Sequence, residues 1–557
     1  MTQAPGSRPN AAVGDFDYVI VGSGAAGSIL ANRLTEDGTT TVCLLEAGPR
    51  DTSLMLHVPA GFTKLLSNPR YTWQLSSEPS DSTAGRRIPM PQGRTLGGST
   101  AINGLLYTRG QPQDFDEWAA LGNSGWRYQD VLPYFMRNES WRGQPAGPHR
   151  GRDGPLPITP LDWDLPLNEL FIDGAASMGL PRNPDYNGAD QSGVGYYQRN
   201  ILGRWRMGTA RTYLRPALGR RNLEVRTEAQ ATRVVIEGGR ATGVEYVNSS
   251  DPGPATFVRA RREVLACCGA LNTPKLLMLS GIGAASRLQE LGIPVTCDSP
   301  GVGRGLRDHF SARIVATVQG ARTINQMAHG PALWMQVARW LAGRPSILTL
   351  SPGVVHFFWN TKTGAGRPDL QGVFTPAALS DRPGLFESRP AVTCAVWQHR
   401  PHSTGTVDLR SPDPLALPVI RPNYLSDDRD RTVLVEGLRL ARRLLKSPTF
   451  APHFVEELRP GADVQTNDEL LAYAREFGAS SFHYNGTAHM GPASDRESVV
   501  DESLRVRGVT GLRVVDASVM PTTPSGNTCA PTMMLAEKAA DLVRGRTPLA
   551  AMALAEA

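Results

Sequence analysis

The chain has 557 residues, 40% hydrophobic and 20% charged, with a formal net charge of +6 from 58 Lys and Arg against 52 Asp and Glu. That length exceeds what one hydrophobic core supports, so at least two domains with a cleft between them are expected, and charges of both signs spread along the chain exclude the basic footprint of a nucleic-acid binder. No apolar run reaches the roughly 18 residues of a membrane span and residues 1–14 lack a basic start with an apolar stretch, so neither a span nor a secretory leader is expected and the location reads as cytoplasmic.

The first element in the chain is a short apolar strand, Asp17-Tyr18-Val19-Ile20-Val21, followed at once by Gly22-Ser23-Gly24-Ala25-Ala26-Gly27 and a helical run from Ser28 to Leu34. Strand, glycine loop and helix in this order form a dinucleotide fingerprint. Gly22 allows the tight turn, Gly24 lets backbone approach a pyrophosphate, and Gly27 lets helix and strand pack closely, with the phosphates at the helix N-terminus. A second strand, Thr41 to Leu45, ends in Glu46 and Ala47, where the acid can bind a ribose hydroxyl pair. This loop by itself suits FAD and NAD equally.

Further along, Gly93-Arg94-Thr95-Leu96-Gly97-Gly98-Ser99-Thr100-Ala101-Ile102-Asn103-Gly104 continues to Gly110. Paired glycines at Gly97 and Gly98 allow the chain to pass a flat ring, and Asn103 can donate and accept at a polar ring edge. The segments Gly269 to Gly283, Pro300 to Gly303 with Asp308-His309, Phe482 to Gly491, Gly511 to Ser518, Pro524 to Thr528 and Met534 to Asp541 follow in order. The six cysteines, Cys43, Cys267, Cys268, Cys297, Cys394 and Cys529, have no metal-site spacing, so free thiols and no metal are expected.

Taken together, these segments resemble the glucose-methanol-choline (GMC) oxidoreductase family over nearly the whole chain. Residues 44–80 look most like its choline-dehydrogenase-like, sorbose dehydrogenase and aliphatic alcohol dehydrogenase members. The resemblance implies an α/β fold, with a Rossmann-like FAD-binding domain and a substrate domain built on an antiparallel sheet flanked by helices. It implies FAD contacts from Gly22, Ser23, Gly24, Ala25, Ala26, Gly27, Glu46 and Ala47, from Arg94, Gly98, Ser99, Asn103 and Gly104, and from Ala231, Asp516, Ala517 and Thr528. Ile102 stands where some relatives carry a histidine bonded to the flavin, so non-covalent FAD is expected.

In the same reading His483 takes the place of the active-site base, Asn527 that of its partner on the alcohol oxygen, and Phe482 contacts substrate. His489 is assigned a structural role, and His309, His356, His399 and His402 none. Gly305, Ala488 and Cys529 depart from the family pattern. The expected FAD-binding domain comprises 15–155, 205–320 and 490–550, and the substrate domain 156–204 and 321–489. The runs Thr393 to Trp397 and Gly405 to Leu409 are expected to roof the flavin, and residues 322–348 to form a helical segment that could gate access. The expected reaction is oxidation of a primary or secondary alcohol, with a lyase of the same family as the alternative. The substrate's identity and the electron acceptor, whether oxygen, a quinone or another carrier, stay open.

Overall fold

The computed structural model describes residues 12–553, apart from 145, 146, 164, 363, 365 and 380–385. The β-branched run at Val19 to Val21 is buried and forms part of the strand Asp15–Val21, near the middle of a seven-stranded sheet. Strands run in the order Leu223–Arg226, Val42–Leu45, Asp15–Val21, Thr256–Ala266, Arg240–Asn248 and Ala229–Glu237. The first four pair in parallel and the last three as an antiparallel meander, while Leu512–Val514 joins the C-terminal half of Thr256–Ala266 in parallel. Strands that are parallel and covered on both faces read as unbroken apolar runs, which explains Val42-Cys43-Leu44-Leu45. The helix Ala25–Leu34 packs on the C-terminal helix Cys529–Arg544, so the first glycine loop and the residues just before Cys529 share one end of the layer.

A second seven-stranded sheet is antiparallel throughout, in the order Phe454–Arg459, Phe310–Val318, Ala391–Gln398, Leu370–Thr375, Val355–Trp359 and Gly193–Tyr196, with Ala479–Ser480 paired to Phe310–Ser311. Its strands alternate between faces, as the two-residue period requires. Ala312, Ile314, Val392, Cys394 and Val396 enter a core with the helices Pro166–Ser177 and Asp428–Leu445. Ser311, Arg313, Thr393, Ala395 and Trp397 on the opposite face line a cavity between the two sheets.

Sheet membership crosses the expected division. Phe310–Val318 pairs in the second sheet, although residues up to 320 were assigned to the first domain. Gly405–Asp408 does not join the roof either. It forms a separate three-stranded sheet with Arg304–Leu306 and Val419–Arg421, and a side chain at Gly405 would stand 2.0 Å from the Arg421 carbonyl oxygen. Residues 322–348 are helical as the periodicity suggests, at Ile324–Met327 and Gly330–Leu341, but none of them lines the cavity. Trp340 is buried against Trp205, whereas Trp334 and Met335 are 74% and 62% exposed. All six cysteines are free, and among the described residues no helix is long and apolar enough to cross a membrane.

Candidate active site

One cavity of about 510 Å³ runs from the first glycine loop to the second sheet. At one end lie Gly22, Gly24, Ala25, Ala26, Glu46, Ala47 and Ala231, and along its length Gly98, Ser99, Asn103, Gly104, Asp516, Ala517 and Thr528. Phe482, His483 and Asn527 line it beneath the second sheet. Three of the expected contacts stand behind the wall. Ser23 is buried and donates from its backbone and hydroxyl to Glu46 Oε2, at 3.0 and 2.6 Å. Gly27 lies against the Gly22 carbonyl, and the Arg94 guanidinium stacks over Trp73 at 4.8 Å.

The glycine loop has the shape that a ligand's approach requires. A side chain at Gly22, whose φ is +99°, would meet the Cys267 carbonyl oxygen at 2.5 Å, and one at Gly98 would meet the Gly24 Cα at 2.7 Å. At Gly24 the same position has no neighbour within 4 Å, leaving open space beside the helix N-terminus. Glu46 also accepts from the Gly48 amide at 2.9 Å. Burial pushes its carboxyl up in pKa, against these hydrogen bonds. Asp516 is held similarly, by Gly269 and Thr273 at 2.8 and 2.5 Å and by the Ser518 amide at 2.8 Å, and burial raises it too.

Asn103 is held from behind by Arg206, a fully buried guanidinium that donates to both its backbone and side-chain oxygens at 2.7 and 2.9 Å. Burial lowers Arg206 to about 9. Ile102, 3% exposed, lines the cavity near Asn103.

The His483 loop is held by a residue that carried no assigned role. Asp308 Oδ1 accepts the His483 amide at 2.8 Å, and its Oδ2 accepts from Ser480 and Tyr424 at 2.5 and 2.6 Å. Phe482, between these anchors, has a φ of +64° and is 42% exposed. A bulky residue in that backbone region is strained unless its surroundings impose it, and the Asp308 clamp imposes it.

His309, likewise without an assigned role, determines what His483 can do. Its Nε2 lies 2.8 Å from the His399 carbonyl oxygen and its Nδ1 2.9 Å from Nδ1 of His483. A carbonyl oxygen only accepts, so Nε2 of His309 carries the hydrogen and Nδ1 is left as an acceptor. His483 must then donate from Nδ1, and its Nε2 keeps a free lone pair. Burial lowers His309 to about 4 and holds His483 well below 6.5, with His309 adding to the second effect. Both rings are therefore neutral at pH 7.

Asn527 Nδ2 donates to that lone pair at 2.8 Å. Its orientation is fixed because Thr108 donates to its Oδ1 at 3.2 Å, with Gln371 at 3.5 Å. An alcohol that displaces the Asn527 amide from this contact can donate to His483 Nε2 and accept from Asn527 Nδ2. Replacing His309 by phenylalanine removes the tautomer lock without emptying the space. Alcohol-dependent flavin reduction is expected to fall by up to roughly four orders of magnitude, the worth of a catalytic histidine held in its correct tautomer in another enzyme. The acid limb of its pH profile should also move, and an unchanged rate and profile in stopped-flow measurements would refute the tautomer lock.

The other histidines lie outside this chain of contacts or serve it only through backbone. His489 pairs with Asp495 at 3.1 Å and does not line the cavity. His399 contributes its carbonyl, while its ring stacks on Phe358.

Comparison with known proteins agrees with this layout. Family models described as GMC oxidoreductase match residues 16–311 and 401–536. The chain is 40% identical to the oxygen-dependent choline dehydrogenase of Rhizobium etli over 538 residues, covering 96% of each. It is 38% identical to the mitochondrial choline dehydrogenase of Homo sapiens, covering 98% of this chain and 93% of that one. Among solved structures it resembles pyridoxine 4-oxidase from Mesorbium loti, with a TM-score of 0.86, 30% identity and coverage of 96% and 100%. The chain belongs to the GMC oxidoreductase family.

Proposed function

We propose that this protein oxidises an alcohol to an aldehyde or ketone, using FAD held non-covalently along the cavity. The observation that carries this reading is the His483 Nε2 lone pair, opposed by Asn527 Nδ2 at 2.8 Å, in a cavity that continues to the dinucleotide loop. The open space at Gly24, the acid at Glu46 and the backbone at Gly98 fit a dinucleotide. Gly22, Gly24, Ala25, Ala26, Glu46 and Ala47 would hold its adenosine and pyrophosphate, Asp516 and Ala517 the linking chain, and Gly98, Ser99, Asn103 and Gly104 with Thr528 the ring system. Bound FAD supplies the acceptor for hydride from the carbinol carbon. His483 takes the hydroxyl proton on Nε2, the ring nitrogen left as acceptor once Nδ1 donates to His309. Asn527 holds the substrate oxygen while charge builds on it. The relatives named as choline dehydrogenases and pyridoxine oxidase support an alcohol substrate, and the free thiols suit a reducing, cytoplasmic setting.

Purified protein incubated with an alcohol panel should form carbonyl product in step with reduction of an added dye. Oxygen uptake measured beside it tells oxidase from dehydrogenase. Carbonyl and cyanide released together from a cyanohydrin, with no alcohol of the panel oxidised, would instead indicate the lyase. Denaturation should release the flavin into solution, because Ile102 offers no nucleophile. Yellow chromophore that stays with the precipitated polypeptide would contradict the non-covalent assignment.

A further inference from the structure

Arg313 lies in the middle of the strand Phe310–Val318 and lines the cavity beside Ser311, Thr393 and Ala395. Among the described residues its side chain makes no ion pair. Tyr473 donates to its backbone carbonyl at 2.6 Å, which does nothing for the guanidinium. The other charge that acts on it is Arg459, a second cation on the neighbouring strand, and with burial this pushes its pKa down while Tyr473 opposes. A guanidinium does not lose its proton in a protein, so the cavity wall carries a partly desolvated positive charge that no ion pair among the described residues neutralises. The acidic side chains in the lining are Glu46 and Asp516, and both are committed to hydrogen bonds at the dinucleotide side.

An unpaired charge held out of water is costly, and a ligand that pairs with it gains most. Ser311 and Thr393 beside it are neutral and supply no counter-charge; their hydroxyls donate to the Ala479 and Ala377 carbonyls at 3.1 and 2.7 Å. Arg313 follows His309, the partner of His483, by four positions of extended chain, or roughly 13 Å at about 3.3 Å per residue. It therefore sits away from the proton-transfer pair, where the far end of a substrate would reach.

We propose that Arg313 is a specificity-determining residue that binds an anionic group, and that the substrate is an alcohol carrying a carboxylate several atoms from its carbinol carbon. This rests on the alcohol-oxidising reading of the same site. A carboxylate is favoured over a phosphate because the planar guanidinium fork matches it in a bidentate pair, while a phosphate dianion would find no second guanidinium in the cavity lining. A quaternary ammonium such as choline would face the same charge and gain nothing from it.

The test compares a homologous series of ω-hydroxycarboxylates with their methyl esters on the FAD-loaded enzyme, in wild type, Arg313→Gln and Arg313→Lys. At the best chain length the wild type should prefer the acid over its ester by roughly 10- to 100-fold in kcat/KM. Arg313→Gln should lose most of that ratio, chiefly through KM, and Arg313→Lys should restore part of it. Equal use of acid and ester by the wild type, a ratio unchanged in Arg313→Gln, or faster turnover of choline than of every hydroxycarboxylate would overturn the proposal. Binding of non-oxidisable alkyl carboxylates, followed by flavin absorbance, separates this from failure of the alcohol reading. If no alcohol reduces the flavin but these carboxylates bind tighter than their amides in wild type alone, only the reaction is misassigned. If they bind no tighter than their amides, Arg313 is not an anion site.

Discussion

Replacing His483 with alanine is expected to lower alcohol-dependent flavin reduction by roughly two to four orders of magnitude, the usual worth of positioned acid-base catalysis, while FAD stays bound. Hydride can leave the carbinol carbon only as negative charge forms on its oxygen, and the free nitrogen of His483 is the group positioned to take the proton. Asn527→Ala should cost less, since an amide has no useful basicity and contributes one oriented hydrogen bond. The pH dependence has a definite sign. Burial holds His483 well below 6.5, so the basic, neutral ring persists as pH falls below that value and the wild-type rate should stay flat there. It should drop only at more acidic pH, when the ring protonates. The alanine variant should instead gain rate as pH rises, because solvent then takes the proton more readily. If His483→Ala reduces flavin at the wild-type rate while His489→Ala does not, the base has been misassigned.

Gly27→Ala is expected to yield protein that is unstable and largely free of flavin. The added carbon would stand 1.8 Å from the Gly22 carbonyl oxygen, far inside van der Waals contact. Backbone on both sides must then move, pulling the glycine loop away from the helix Ala25–Leu34. Gly24→Ala makes the informative contrast, because nothing in the protein lies within 4 Å of its new methyl group. That variant should fold with an unchanged melting temperature when stripped of flavin, yet bind FAD more weakly. The measurements are flavin absorbance per polypeptide and thermal unfolding of each apoprotein. A Gly27→Ala protein with full flavin content and wild-type stability would show that the loop does not need this close approach.

What could be read from the residues was what depends on local backbone and fixed spacing. The strand to Val21, the loop from Gly22 to Gly27 and the acid at Glu46 lie within one short stretch, where steric rules act directly. The helices near residues 322–348 were also legible, because apolar periodicity reports helix formation; it does not report which wall the helix faces. Thus Trp334 and Met335 turn outward and the expected gating segment misses the cavity. Gly405–Asp408 reads as a strand for sound reasons, but its partners at Arg304–Leu306 and Val419–Arg421 are set by tertiary contacts. His309 and Asp308 were visible as a motif, yet their roles were not. The His309 to His483 contact joins residues separated by 174 positions, and a tautomer depends on a carbonyl another 90 positions from His309. Arg313 gave no signal at all, since an arginine on a strand is ordinary until its neighbours are known.

The most direct measurement is anaerobic stopped-flow mixing of the purified, FAD-loaded protein with an alcohol and with the same alcohol deuterated at the carbinol carbon. Oxidised-flavin absorbance should bleach in a single turnover, more slowly for the deuterated substrate, with carbonyl product equal to flavin reduced. Flavin that stays oxidised with every alcohol and hydroxycarboxylate tried would contradict hydride transfer in this cavity.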